Sequence, residues 1–216
     1  MHHHVACLKC YYCLRGMYTL CDKFPKTYIE PGGFAEFFKV PASNLQMDTL
    51  KLPDEVSFEE ATLIEPIACC VRALTKCETR LGDSVAIIGA GPSGIINAVL
   101  SKFFGAATVI VSDFVEFRLK VATKFGADKV VNPSKSNLLD EVKNATDGRG
   151  ADLVVVTAPT IKAFSEAIEV CENGVQRRQG WSLIIKRREG SKRKTWTQFR
   201  PFCHAFKGLG ITSLRR

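Results

Sequence analysis

Four cysteines crowd the start of the chain. Cys7, Cys10, Cys13 and Cys21 follow the spacing C-x2-C-x2-C-x7-C. Thiolates this close in sequence can surround one tetrahedral zinc ion, and a site closed by four sulfurs is structural because it leaves no position for a substrate. An iron–sulfur cluster is the alternative, but the fourth spacing is longer than in the bacterial ferredoxin run and lacks its proline. Disulfides are the remaining alternative, and a chain of nine cysteines with no export signal favours metal or free thiols over them.

A second group lies further along. Val85-Ala86-Ile87-Ile88 is a short apolar run, followed by Gly89, Gly91 and Gly94 in G-x-G-x-x-G order, with Pro92 and Ser93 between them. This arrangement predicts a strand, a tight turn and the start of a helix. The first glycine serves the turn, the second the close approach of a pyrophosphate, and the third the packing of helix on strand. Free N–H groups and partial positive charge at the helix start suit phosphate oxygens. Thr108–Val111 is the next strand, and Asp113 closes it, placed to accept hydrogen bonds from both hydroxyls of an adenosine ribose. Its charge would repel a 2′-phosphate, so NAD is expected over NADP.

The surrounding pattern alternates strands with helices. Helices are expected over 95–104, 116–125, 138–146 and 161–171. The strands are 85–88, 108–111, 129–133 and 152–156, forming a parallel sheet of order 3-2-1-4. Upstream, 34–40 reads as a strand ended by Pro41. Ser57 and Glu60 form a capping box opening a helical stretch to Cys77, with Pro66 as a break or first-turn residue. Cys69, Cys70 and Cys77 in that stretch read as small buried side chains. Glu65, just before Pro66 among apolar neighbours, would be costly to bury unless paired or metal-bound, and by spacing alone reads as a solvated helix-start acid. The apolar stretch 85–111 is interrupted by Pro92, glycines and Lys102, so it does not read as a membrane span, and a cytoplasmic protein is expected.

In this order, the four-cysteine lobe, GGFAEFFKVP, LPDEVSFEEATLIEP, GAGPSG and VSD resemble the zinc-dependent medium-chain alcohol dehydrogenases. The sorbitol/threonine dehydrogenase-like branch is the most similar. The likeness runs from about His3 to Gly174. It includes the histidines before Val5, which otherwise read as native or as the remnant of an affinity tag.

The resemblance implies an α/β architecture. A partial GroES-like β-rich domain with a zinc lobe (1–65) precedes an incomplete Rossmann domain, a doubly wound parallel sheet (66–174). It implies Cys7, Cys10, Cys13 and Cys21 as lobe zinc ligands. Gly89, Gly91, Pro92, Ser93, Gly94, Asp113 and Arg118 would hold NAD, and Glu65 would face a catalytic zinc. In the family such a zinc binds the alcohol oxygen and lowers its pKa, and a hydride then passes to the nicotinamide. The substrate class is alcohols or polyols; sorbitol, threonine, a sugar and a simple alcohol all remain open.

Two departures accompany the likeness. The family's catalytic cysteine and Gly-His-Glu histidine precede the lobe, and the chain begins too close to Cys7 to hold them. The expected chain is therefore inactive by itself, with homo-oligomers doubtful, and a zinc- and nucleotide-binding protein without catalysis is the alternative. After Gly174 the family's fifth strand is replaced by a basic stretch, 175–216. It holds 12 of the 30 Lys and Arg and one acid, Glu189, so the net charge of +8 belongs to this tail. Its strand and helix periodicity fade, as if the coding frame had changed. Arg177, Arg178, Lys186, Arg187, Arg188, Lys192, Arg193 and Lys194 with Trp181 and Trp196 give nucleic-acid binding as a further alternative. The frame-shift reading is preferred, and no nucleic-acid or membrane partner is expected.

Overall fold

A computed structural model describes residues 3–171 and the backbone of two further strands, Val175–Gln179 and Leu183–Arg187. The chain divides into two compact units, Met1–Ala61 and Thr62–Arg216.

The first unit contains little regular structure. Its lobe is a series of 3-10 turns at Cys13–Arg15, Tyr18–Leu20 and Phe24–Lys26. The lobe's small core is Ala6, Cys13 and Cys21, with Cys7, Cys10 and Phe24 against it. So few apolar side chains offer little to offset the entropy of ordering some twenty residues. Val5 N–H and the Thr27 hydroxyl tie its two ends together at 2.8 Å, and His4 Nδ1 stands 2.8 Å from the Thr27 carbonyl.

The strand expected over 34–40 does not form. Only Glu30 and Lys39 pair, antiparallel, and Phe34 and Phe37 are exposed. A strand needs a ladder partner to satisfy its backbone, and the described part of this unit provides one for a single residue pair. Helix α1 (Ala42–Asp48) follows Pro41 directly and was not evident in the sequence. Helix α2 (Phe58–Ala61) opens with the predicted capping box: Glu60 N–H donates to Ser57 Oγ at 3.2 Å, and Ser57 N–H to Glu60 Oε2 at 2.9 Å.

The second unit opens with α3 (Ile64–Lys76), which carries Pro66 in its first turn, where a missing N–H breaks no helical bond. Next come β1 (Ser84–Ile88), α4 (Pro92–Phe103), β2 (Thr108–Ser112), α5 (Glu116–Lys124) and β3 (Lys129–Val131). Helix α6 (Leu138–Ala145), β4 (Leu153–Val156) and α7 (Ile161–Val170) complete the alternation. The strands pair in parallel as β3-β2-β1-β4, with Ile87 opposite Val111 on one side and Val155 on the other.

Both faces of this sheet are covered, which is why its strands read as continuous apolar runs. Val85, Ile87, Val109, Val111, Leu153 and Val155 pack with Leu74 of α3 and Ala98 of α4. Ala86, Ile88, Ile110, Val154 and Val156 pack with Leu138 and Val142 of α6 and Ala163 and Ala167 of α7.

The stretch after Gly174 departs from expectation. Instead of losing strand character at once, it forms β5 (Val175–Gln179) and β6 (Leu183–Arg187), an antiparallel hairpin. Strand β6 pairs antiparallel with β4, Val154 opposite Ile185, giving the order β3-β2-β1-β4-β6-β5. The edge of β4 is thus covered; an apolar edge strand offers a full row of backbone groups to any segment able to extend beside it. The side chains of the basic tail lie outside the described residues. Among the described residues, no helix is long and apolar enough to cross a membrane.

Candidate metal centre and dinucleotide-binding turn

The lobe brings its four cysteines to one point. All four Sγ atoms lie within 4.8 Å of one another, and they are the one metal-capable group of three or more ligands among the described residues. Cys10 Sγ is 3.4 Å and Cys7 Sγ 3.9 Å from Cys13 Sγ. Four thiolates at about 2.3 Å from a tetrahedral zinc stand about 3.8 Å apart, so the arrangement fits that ion.

The thiols differ in their readiness to ionise. The N–H of Cys7, 3.4 Å from Cys21 Sγ, leads the causes that bring Cys21 down to about 6. Burial pushes Cys13 up to about 12, helped by hydrogen bonds from the neighbouring sulfurs. Such a cluster does not carry four negative charges unaided, and a divalent cation would remove that conflict.

The glycine turn is built by three different constraints. Gly89 has φ +106°, and a Cβ there would meet Thr157 Oγ1 and the Ala158 nitrogen. A Cβ on Gly94 would overlap the carbonyl of Gly89, because α4 starts directly against the end of β1. Gly91 is under neither constraint: its φ is −71°, and a Cβ there would touch nothing within 4 Å among the described residues. The open space at Gly91, at the N-terminus of α4, fits a ligand that must approach the backbone closely. Pro92 is the first residue of α4 and Ser93 the second.

Asp113 follows β2 and stands beside this turn. Its Oδ2 accepts from Ala90 N–H at 2.8 Å and its Oδ1 from Val115 N–H at 2.8 Å. Arg118 Nη1 is 3.7 Å from Oδ2, and the Asp113 side chain is only 10% exposed. The carboxylate is thus fixed by the main chain, with lone pairs remaining for further donors.

Glu65 lies in the first turn of α3, exposed, and accepts a hydrogen bond from Cys69 Sγ at 3.0 Å. Burial and that hydrogen bond push the Cys69 thiol up to about 12. Cys70 and Cys77 are buried as expected, whereas Cys69 is half-buried and bonded to Glu65. Among the described residues, no third ligand joins Glu65, so the residues present do not form a second metal site.

Thr157 escaped the sequence reading. Its hydroxyl lies 2.9 Å from the Gly89 carbonyl and 3.2 Å from that of Ile88, supporting the turn from β4. A threonine directly after the apolar strand Leu153–Val156 was the available signal.

The chain is similar to known proteins. The Zinc-binding dehydrogenase family model matches residues 92–176. Sorbitol dehydrogenase of Bacillus subtilis is 34% identical over 172 residues, covering 79% of this chain and 48% of the relative. L-threonine 3-dehydrogenase of Pyrococcus furiosus is 38% identical over 174 residues, covering 80% of this chain and 47% of the relative. Among solved structures, the alcohol dehydrogenase of Thermus sp. ATN1 is similar with a TM-score of 0.66 and 31% identity. It is matched over 78% of this chain and 50% of its own. The chain therefore spans about half the length of the relatives it matches. Over about four fifths of its own length, the chain is similar to zinc-dependent dehydrogenases, which supports the zinc-dependent medium-chain alcohol dehydrogenase family for this partial chain.

Proposed function

We propose that the chain is the zinc-lobe and nucleotide-binding part of a zinc-dependent NAD(H) oxidoreductase of alcohols or polyols. The observation that carries this reading is Gly91. It is a glycine with ordinary φ and, among the described residues, empty space around its Cβ position, at the head of α4 and beside the fixed carboxylate of Asp113.

Cys7, Cys10, Cys13 and Cys21 would hold a structural zinc that fixes the lobe. Gly89 to Gly94 would take the pyrophosphate on the first-turn N–H groups of α4, and Asp113 and Arg118 the adenosine ribose. When bound, NAD supplies a hydride acceptor. Glu65 lacks companions for a catalytic metal among the described residues, so the 216-residue chain binds zinc and dinucleotide without turning over an alcohol. Sorbitol and threonine are the first substrates to try for the complete enzyme, since relatives named for both are similar to this chain.

The test is to load the purified chain with zinc and NAD, and follow absorbance at 340 nm with sorbitol, threonine and ethanol, alongside NADH titration. Binding without turnover is expected. Absence of dinucleotide binding overturns the whole reading, and turnover overturns the assignment of inactivity.

A further inference from the structure

Asn97 lies in the middle of α4 with no exposure to solvent. Its Nδ2 donates to the Ser93 carbonyl at 2.8 Å and to Cys70 Sγ at 3.2 Å. Those two contacts fix which end of the amide points where, since Oδ1 placed against the Ser93 carbonyl would be repelled. Oδ1 is then left without a hydrogen-bond partner among the described residues. A buried unpaired amide oxygen works against stability, and an apolar side chain of the same shape would not carry that penalty.

The position of Asn97 explains what it could do. The carbonyl of Ser93 and the N–H of Gly94 belong to one planar peptide and point in opposite directions. Gly94 N–H is one of the first-turn donors that have no acceptor within the helix. Holding the Ser93 carbonyl down the helix therefore aims the Gly94 N–H out of its N-terminus, toward the open space at Gly91. Cys70 anchors the other N–H of the amide from α3, so the clamp is tied to a second helix. Its thiol also lies 3.8 Å from Ser93 Oγ.

We infer that Asn97 is a positioning residue for dinucleotide binding, acting through the Ser93–Gly94 peptide with Cys70 as its anchor. The inference rests on the nucleotide-binding reading above and names a residue that the glycine motif does not include.

The test is Asn97→Leu, which keeps bulk and removes the donor, compared with the wild-type chain. Amide hydrogen exchange of Ile95, whose N–H bonds to the Gly91 carbonyl at 2.9 Å, is expected to accelerate about three- to tenfold, the loss of one hydrogen bond. The melting temperature should be unchanged or raised, and NADH should bind about three- to tenfold more weakly. Unchanged Ile95 exchange, or a fall in melting temperature with NADH affinity preserved, overturns the inference. Cys70→Ala provides the same comparison with α4 intact, and a smaller change in the same direction is expected. The exchange measurement needs no ligand. Failure of the wild-type chain to bind NADH therefore refutes the nucleotide-binding reading separately.

Discussion

Gly94 packs against the carbonyl of Gly89 so closely that no side chain fits between them, whereas Gly91, three residues earlier, has open space where a Cβ would go. The same motif thus contains a glycine required by the protein's own packing and a glycine that packing leaves unexplained. The two separate by mutation. Gly94→Ala is expected to destabilise the second unit by about 1–3 kcal/mol or more, because an atom is forced into backbone. Gly91→Ala is expected to leave the melting temperature within about 1–2 °C and to weaken NADH at least tenfold, as its methyl would occupy the ligand's approach. Thermal unfolding and NADH titration of both variants check this; equal effects on stability would contradict it.

The lobe should stand or fall with its metal. Cys21→Ser is expected to lower bound zinc from about one per chain to a small fraction, because removing one of four thiolates opens a closed tetrahedral site. The chain around Cys7–Lys26 should then become sensitive to protease while the second unit keeps its melting temperature. Zinc determined with a chromogenic chelator and limited proteolysis give the readout. Full zinc content in the variant would contradict the assignment.

Asp113 combines a structural and a selective part. Its two oxygens accept from Ala90 and Val115 N–H groups, so Asp113→Ala should cost about 1–3 kcal/mol in stability. Asp113→Asn keeps an acceptor but loses the charge that would repel a 2′-phosphate. It is expected to narrow the preference for NADH over NADPH by about tenfold, through a lost charge–charge repulsion. Competitive titration of the two dinucleotides tests this, and an unchanged ratio would show that Asp113 does not face the ribose.

Glu166 on α7 makes stability depend on pH. Burial raises its pKa above the ordinary 4.5, with Lys162 opposing and Glu169 adding to the shift. In the window between 4.5 and the raised folded value, the folded state binds more protons than the unfolded state, so stability falls as pH rises. Glu166→Gln removes that dependence. The variant should melt above wild type at pH 7, and the difference should close below about pH 4. A difference that does not change with pH would point to packing instead.

Much of the second unit was legible because each boundary is marked locally. Strand β1 ends at a glycine turn, Pro92 opens α4, and the strands are apolar on both faces, as a sheet covered on both sides requires. The clustering of the four cysteines was legible from spacing, since positions so near in sequence need only short loops to bring their sulfurs together. What failed depends on partners far along the chain. Residues 34–40 have strand composition, yet only Lys39 finds a partner, in Glu30. Residues 183–187 follow a basic, irregular run, yet pair with β4, whose edge was available. Asn97 and Thr157 were invisible for a similar reason: their roles come from the carbonyls of Ser93 and Gly89, which only the folded backbone places beside them.

The most direct test of the account is an NADH fluorescence titration of the zinc-loaded 216-residue chain, with Gly91→Ala as its control. The account predicts saturable binding near one NADH per chain that Gly91→Ala abolishes or weakens at least tenfold, with zinc content unchanged. No saturable binding by a folded wild-type chain, or equal binding by the variant, would contradict it.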